Sequence, residues 1–148
     1  MSLFKKILVP IDGSDTADKA MRMALDMARE SLATVRFLHV IDDERYFSSY
    51  ELSGDLRTYA FDNAKKLLQN AMDAATALGV NADTHLINQP GQRLGENVAD
   101  EVENWGADLV VVGSHGRRGL GRLLLGSGAE QVMRLSPVPV LMVHGTQP

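Results

Sequence analysis

Two kinds of apolar run alternate along the chain. Ile7-Leu8-Val9-Pro10-Ile11 is short, β-rich and without polar alternation, the pattern of a strand covered on both faces of a parallel sheet. Asp12-Gly13-Ser14-Asp15 breaks the run, and Ser14 or Asp15 can cap the helix that follows. Ala17, Ala20, Met21, Ala24, Ala28 and Leu32 then recur at helical spacing and predict one apolar face. Residues 35–41 read as a second strand, and residues 42–55 as a polar and aromatic excursion.

Leu56, Ala60, Ala64, Leu67, Ala71, Ala74 and Leu78 predict a long amphipathic helix, with Gly79 placed where a left-handed residue ends it. Val80, Ala82, Thr84 and Leu86 predict a weaker strand at a sheet edge. Leu94, Val98, Val102 and Trp105 predict a third helix stopped by Gly106, and Leu109-Val110-Val111-Val112 is the strongest strand signal in the chain. A Gly- and Arg-rich loop comes next, then a short helix over residues 127–135. Residues 138–143 are expected as a final strand.

The order βαβαβαβαβ predicts an α/β fold: a doubly wound, five-stranded parallel sheet with helices on both faces. No break in composition divides residues 1–148, so one domain is expected. Such sheets bind ligands beyond the carboxyl ends of the strands, where the strand order reverses. With the first strand central, the loops at residues 12–15 and 113–126 flank that crevice.

Composition narrows the partners. The 148 residues are 45% hydrophobic and 23% charged, as in an ordinary globular protein. A net charge of -4 argues against nucleic acid and anionic membrane surfaces. The chain has 0 cysteines, which removes disulfides, thiolate metal sites and a Cys nucleophile, and fits a reducing, cytoplasmic setting. The N-terminal apolar run is too short for a signal peptide, and no stretch reaches the roughly 20 apolar residues of a membrane span.

The loop after the fourth strand carries the clearest chemistry. Gly113-Ser114-His115-Gly116 is followed, after nine residues, by Gly126-Ser127 at the start of a helix. Glycines let backbone N–H groups approach an anion closely, and a helix start adds unpaired donors and the positive end of the dipole. Between Asp108 and Glu130 lie His115, Arg117, Arg118 and Arg122 and no acid, so an acidic chain keeps this loop cationic. Turns and a solvated arginine surface are the simpler reading of the same residues.

Two other phosphate motifs are excluded. Gly116 and Gly121 have Walker spacing, but Arg122-Leu123 replace the required lysine and hydroxyl. The dinucleotide fingerprint belongs after the first strand, where Asp12-Gly13-Ser14-Asp15 stands instead.

Three stretches carry a family resemblance: Lys6-Ile7-Leu8-Val9-Pro10-Ile11-Asp12-Gly13-Ser14, the run from Ala107 through Gly116, and the run from Leu125 to Val143. They resemble the universal stress protein family, over essentially the whole chain. Gly113, Gly116, Gly126 and Ser127 match the pattern of its ATP-binding branch (Gly, two residues, Gly, nine residues, Gly, Ser/Thr). The resemblance implies a Rossmann-like fold of the adenine nucleotide alpha hydrolase-like kind. It also implies ATP as ligand, with magnesium able to bridge the phosphates.

The implied nucleotide site comprises Pro10, Asp12, Val40, Gly113, His115, Gly116, Arg117, Gly126, Ser127 and Gly128. In it Asp12 accepts from the ribose or helps hold a metal, and backbone groups near Val40 read the adenine edge. Gly113 lies against the sugar. Gly116, Gly126 and Ser127 hold phosphates, with Arg117 beside them. Gly128 departs from the family, which usually has a larger apolar residue there. The resemblance further implies a homodimer through the final strand, whose apolar edge otherwise invites aggregation.

The remaining residues add little chemistry. His39, His85, His115 and His144 lack metal-ligand spacing, and His39 reads as a packed core residue. Met21, Met23 and Met27 read as core filler. No catalytic residue and no protein metal ligand is assigned. Three functions stay open. One is a nucleotide-dependent regulatory module, which is favoured; the others are a slow ATP hydrolase or phosphotransferase, and a dimeric interaction protein with an unused cleft. A receiver-like phosphoacceptor lacks its lysine after Val143.

Overall fold

The structure, a computed structural model, describes residues 3–41, 54–88, 91–114 and 125–145, and only the backbone of 54–57. The elements are β1 (Lys6–Pro10), α1 (Asp15–Ser31), β2 (Thr34–Val40), α2 (Gly54–Ala77), β3 (Ala82–Ile87), α3 (Leu94–Trp105), β4 (Leu109–Gly113), α4 (Ser127–Leu135) and β5 (Val140–Val143). All strand pairs are parallel, in the order β3-β2-β1-β4-β5. The predicted doubly wound sheet is therefore present. The chain winds outward from β1 to β3, then crosses to β4 and β5, so the reversal falls between β1 and β4.

Strand alternation explains why the apolar runs are continuous. Ile7, Val9, Val35, Phe37, Leu109 and Val111 face one side and pack with α1 and α2 residues such as Ala24, Leu25 and Ala71. Leu8, Leu38, Val110 and Val112 face the other side and pack with Val98, Val102 and Val132 of α3 and α4. Neither face of the central strands meets water, so neither needs a polar residue. At the strand starts, the Asp108 carboxylate accepts from the Lys5 and Lys6 amides at 2.8 and 3.0 Å and fixes β1 beside β4.

Helix ends follow the glycines where there are glycines. Gly79 has φ 70° and donates to the Thr76 carbonyl at 3.1 Å, while Val80 donates to Ala75 at 2.9 Å. Gly106 ends α3 with φ 83° and donates to Val102. At the end of α1 the pattern misleads: Leu32 is the left-handed cap, with φ 60° and 91% exposure, so it is not part of the apolar face. Leu25, buried on that face, takes its place. Met21 is core as expected, but Met23 is 45% exposed and fills nothing.

The last strand begins at Val140, later than the apolar run suggests. The Ser136 hydroxyl donates to the Val138 carbonyl at 2.8 Å, and the Val138 amide donates back to it at 3.2 Å. Val138 is thus held in a turn and not in the ladder. Both edge strands are as placed by topology, but they differ in character: β3 exposes Asp83, Thr84 and His85, whereas β5 exposes Leu141. No helix among the described residues is long and apolar enough to cross a membrane.

Candidate functional site

The loop after β1 is built by its own side chains. The Asp12 carboxylate accepts from the Ser14 amide at 2.9 Å, and Gly13 supplies the positive φ of 83° between them. Of the two capping candidates, Ser14 is the cap: its hydroxyl accepts from the Ala17 amide at 3.2 Å. Asp15 and Asp18 follow in the first turn, where the helix dipole favours them. This helix start is closed and acidic.

β1 ends beside β2 in a way that leaves β2 partly unpaired. The Ile11 amide donates to the Leu38 carbonyl at 2.8 Å, so the peptide groups of Leu38 face β1. Strand alternation turns the peptide groups of Val40, two residues on, the same way. The β1–β2 pairing stops at Pro10 and Leu38, and no described residue pairs with the Val40 N–H or C=O. One donor and one acceptor therefore stand side by side at the strand end. His39 is half-buried, and its Nδ1 lies 2.7 Å from the Ile11 carbonyl. A carbonyl only accepts, so Nδ1 carries the proton and the ring ties the end of β1 to β2.

The loop after β4 has the opposite construction. Gly113 has no room for a side chain: a Cβ there would lie 2.6 Å from Thr16 Oγ1 and 2.7 and 2.8 Å from Thr16 and Ala17 backbone atoms. The start of α1 occupies that space, so close packing alone requires this glycine. The Ser114 amide donates to Val143 at 2.9 Å, and the Ser114 carbonyl accepts from Gly126 at 2.8 Å. The chain thus leaves the sheet and re-enters α4 at one point.

Gly126 is the N-cap of α4 and uses its own amide on Ser114. The first intrahelical bond runs from Glu130 to Gly126. Ser127, Gly128 and Ala129 consequently have no acceptor within the helix, and the glycine N-cap offers them no side chain. Glu130 is the one acid in this first turn, and Arg134 holds it at 2.9 Å. Gly128 lies under α3, where an added Cβ would come within 2.9 Å of Leu94 Cδ2. A Cβ at 128 fits once the Leu94 tip turns aside.

The switch point therefore brings together Pro10, Asp12, Val40, Gly113, Gly126, Ser127 and Gly128 at the strand ends and helix starts. His115, Gly116 and Arg117 lie outside the described residues. Among the described residues no group of three His, Asp or Glu side chains is placed to hold a metal ion. Among the described residues the crevice offers a carboxylate and an unpaired strand end on one side, and three open helix amides on the other. Donors at a helix start opposite a carboxylate suit a polar ligand with an anionic end.

The fold and switch-point architecture are those of the Rossmann-like, adenine nucleotide alpha hydrolase-like α/β proteins. The family model for the universal stress protein family matches residues 3–144, and the chain belongs to that family. It is 35% identical to universal stress protein YxiE of Bacillus subtilis, over 96% of this chain and 100% of that one. Its fold superposes on that of hypothetical protein MJ0577 with a TM-score of 0.86 at 29% identity, covering 99% of this chain and 100% of that chain. It is also similar, with a TM-score of 0.69 at 26% identity over 97% and 98% of the two chains, to a universal stress protein solved in complex with cAMP.

One polar cluster escapes sequence reasoning. The Arg36 guanidinium donates to both Asp83 oxygens at 2.8 Å and to Glu101 Oε2 at 2.8 Å. Glu101, only 4% exposed, also meets His85 Nδ1 at 2.8 Å. Trp105 stacks below, its ring centroid 4.7 Å from the guanidinium carbon. Hydrogen bonding to Asp83, then to Glu101, raises the Arg36 pKa above its ordinary value, so this cation is permanent. The cluster stitches β2, β3 and α3 at the end of the sheet away from the crevice. Residues 36, 83 and 101 are too far apart in sequence for any local pattern to join them.

Proposed function

We propose that this chain is an ATP-binding universal stress protein that acts as a nucleotide-dependent regulatory module, a single domain over residues 1–148. The uncapped start of α4 carries the reading. Three consecutive amides without acceptors among the described residues, after a Gly-rich loop sequence with three arginines, suit a polyphosphate. Asp12 accepts from the ribose, the Val40 peptide groups meet the adenine edge, and Gly113 backs the sugar. Gly126 aims the amides of Ser127 and Gly128 at the phosphates. Gly116 and Arg117 join them by their place in the motif; magnesium, if bound, would be held mainly by phosphate oxygens and would neutralise their charge. The cAMP complex of a relative supports an adenine nucleotide in this crevice. ATP over other adenine nucleotides is supported by the glycine pattern.

The test is mass spectrometry of nucleotide released from purified protein, then calorimetric titration of ATP with magnesium into stripped protein. Co-purified ATP, or micromolar binding with preference over GTP, is expected. Absence of both would refute the reading.

The edge strand β5 supports a homodimer. Leu141 is 37% exposed there, and β5 lacks the exposed polar side chains that guard β3. Leu141→Lys is expected to shift the protein from dimer to monomer in light scattering. A wild-type monomer would end the proposal.

A further inference from the structure

α3 and α4 approach so closely at Gly95 that no side chain fits there. A Cβ on Gly95 would lie 2.5 Å from Gln131 Cβ and 2.8 and 2.9 Å from the Gln131 backbone carbon and oxygen. Backbone atoms cannot swing aside as a rotamer can, so any larger residue at 95 must move one helix against the other. The same contact carries a hydrogen bond. The Gly95 amide, one of the unpaired donors at the start of α3, donates to Gln131 Oε1 at 3.2 Å. Gln131 of α4 thus closes the start of α3, which Glu96 closes from within by accepting the Arg93 amide at 3.4 Å. Gly128 lies in the same crossing, against Leu94.

These contacts fall within the first turns of α4, beside the open amides of Ser127, Gly128 and Ala129. Among the described residues the start of α4 is held by few polar contacts: its glycine N-cap has no side-chain hydrogen bond, and the Gly126 amide donates to the Ser114 carbonyl at 2.8 Å. We infer that Gly95 is a positioning residue: its missing side chain sets where the start of α4 stands, and so how tightly the phosphate end of the nucleotide is held. The inference rests on the phosphate reading above. Gly95 contacts Gln131 and needs no contact with the ligand. It predicts a selective defect, because Asp12 and Val40, the proposed ribose and base groups, lie after β1 and at the end of β2, outside this crossing.

The readout is the ratio of ATP affinity to adenosine affinity, measured by calorimetry on full-length wild type and variants. Gly95→Ala is expected to lower that ratio about tenfold by displacing the donors on the order of an ångström. Gly95→Ala combined with Gln131→Gly removes the 2.5 Å contact and is expected to recover part of the ratio. Gly79→Ala is the control for general destabilisation: φ is +70° there and nothing lies within 4 Å. It is expected to lower the melting temperature and leave the ratio alone. If Gly95→Ala does not fold, Gln131→Leu removes the acceptor for the Gly95 amide and is expected to lower the ratio about threefold, one lost hydrogen bond.

An unchanged ratio in the folded position-95 or position-131 variant overturns the inference, as does an equal fall in Gly79→Ala. A wild-type protein that binds ATP no better than adenosine overturns the phosphate reading itself, and this inference with it.

Discussion

The starts of α1 and α4 both follow central strands at the switch point, yet they are finished in opposite ways. At α1 the chain supplies its own anions: Asp12 takes the Ser14 amide, Ser14 takes the Ala17 amide, and Asp15 and Asp18 complement the dipole. At α4 the cap is a glycine, no described side chain closes the turn, and the preceding loop sequence holds arginines and no acid. A helix start has the same unpaired amides wherever it occurs. Sequence decides whether they are consumed internally or left for a ligand. The difference would orient the proposed nucleotide, with its anionic end at α4 and its ribose at Asp12.

Closing the open helix start should have the largest effect. Gly126→Asp puts a carboxylate where the phosphates belong and lets it compete for their donors. Loss of two charge-assisted hydrogen bonds, about 1.5–3 kcal/mol each, should weaken ATP at least a hundredfold. Aspartate is a better N-cap than glycine by a few tenths of a kcal/mol, so the melting temperature should hold or rise slightly. Calorimetry and thermal unfolding on one sample check both halves.

Asp12 comes next. Asp12→Ala should weaken ATP by about tenfold or more through the lost ribose acceptor. Asp12→Asn keeps an oxygen for the Ser14 amide and should retain more binding than Ala. Equal binding by both variants and wild type would mean that the carboxylate only shapes its turn.

The smallest effect concerns the closed end. Ser14→Ala opens the α1 cap and should cost about 1 kcal/mol of stability. ATP affinity should not change. A gain in ATP affinity on uncapping α1 would show that the two helix starts are interchangeable and that the contrast is misplaced.

The sequence made the contrast half legible. The apolar runs at 7–11 and 109–112, which mark β1 and β4, stand out because both faces of these strands are buried. Gly79 and Gly106 announce helix ends because left-handed backbone favours glycine. Leu32 takes the same conformation, but a leucine at helical spacing reads as a core residue, so the end of α1 was hidden. Gly126-Ser127 could be read as an anion-binding start from its loop. That Gly126 itself is engaged to Ser114, leaving residues 127–129 as the donors, depends on a contact across the loop.

The same limit applies to Gly113 and Gly95. Gly113 looks like a ligand-facing glycine, and its lack of a side chain is demanded by Thr16 and Ala17, far off in sequence. Gly95 looks like a flaw in a helix, since its reason lies on another helix at Gln131. The Arg36–Asp83–Glu101 cluster is hidden likewise, because parallel crossovers bring together residues that no local period relates.

The most direct measurement is a backbone amide NMR titration of the stripped protein with ATP and, separately, with adenosine. The account predicts that the amides of Ser127, Gly128 and Ala129 shift with ATP and barely move with adenosine, while those of Ala17 and Asp18 stay in place with both. Shifts at the start of α1, or an unmoved start of α4 while ATP binds elsewhere, would contradict it.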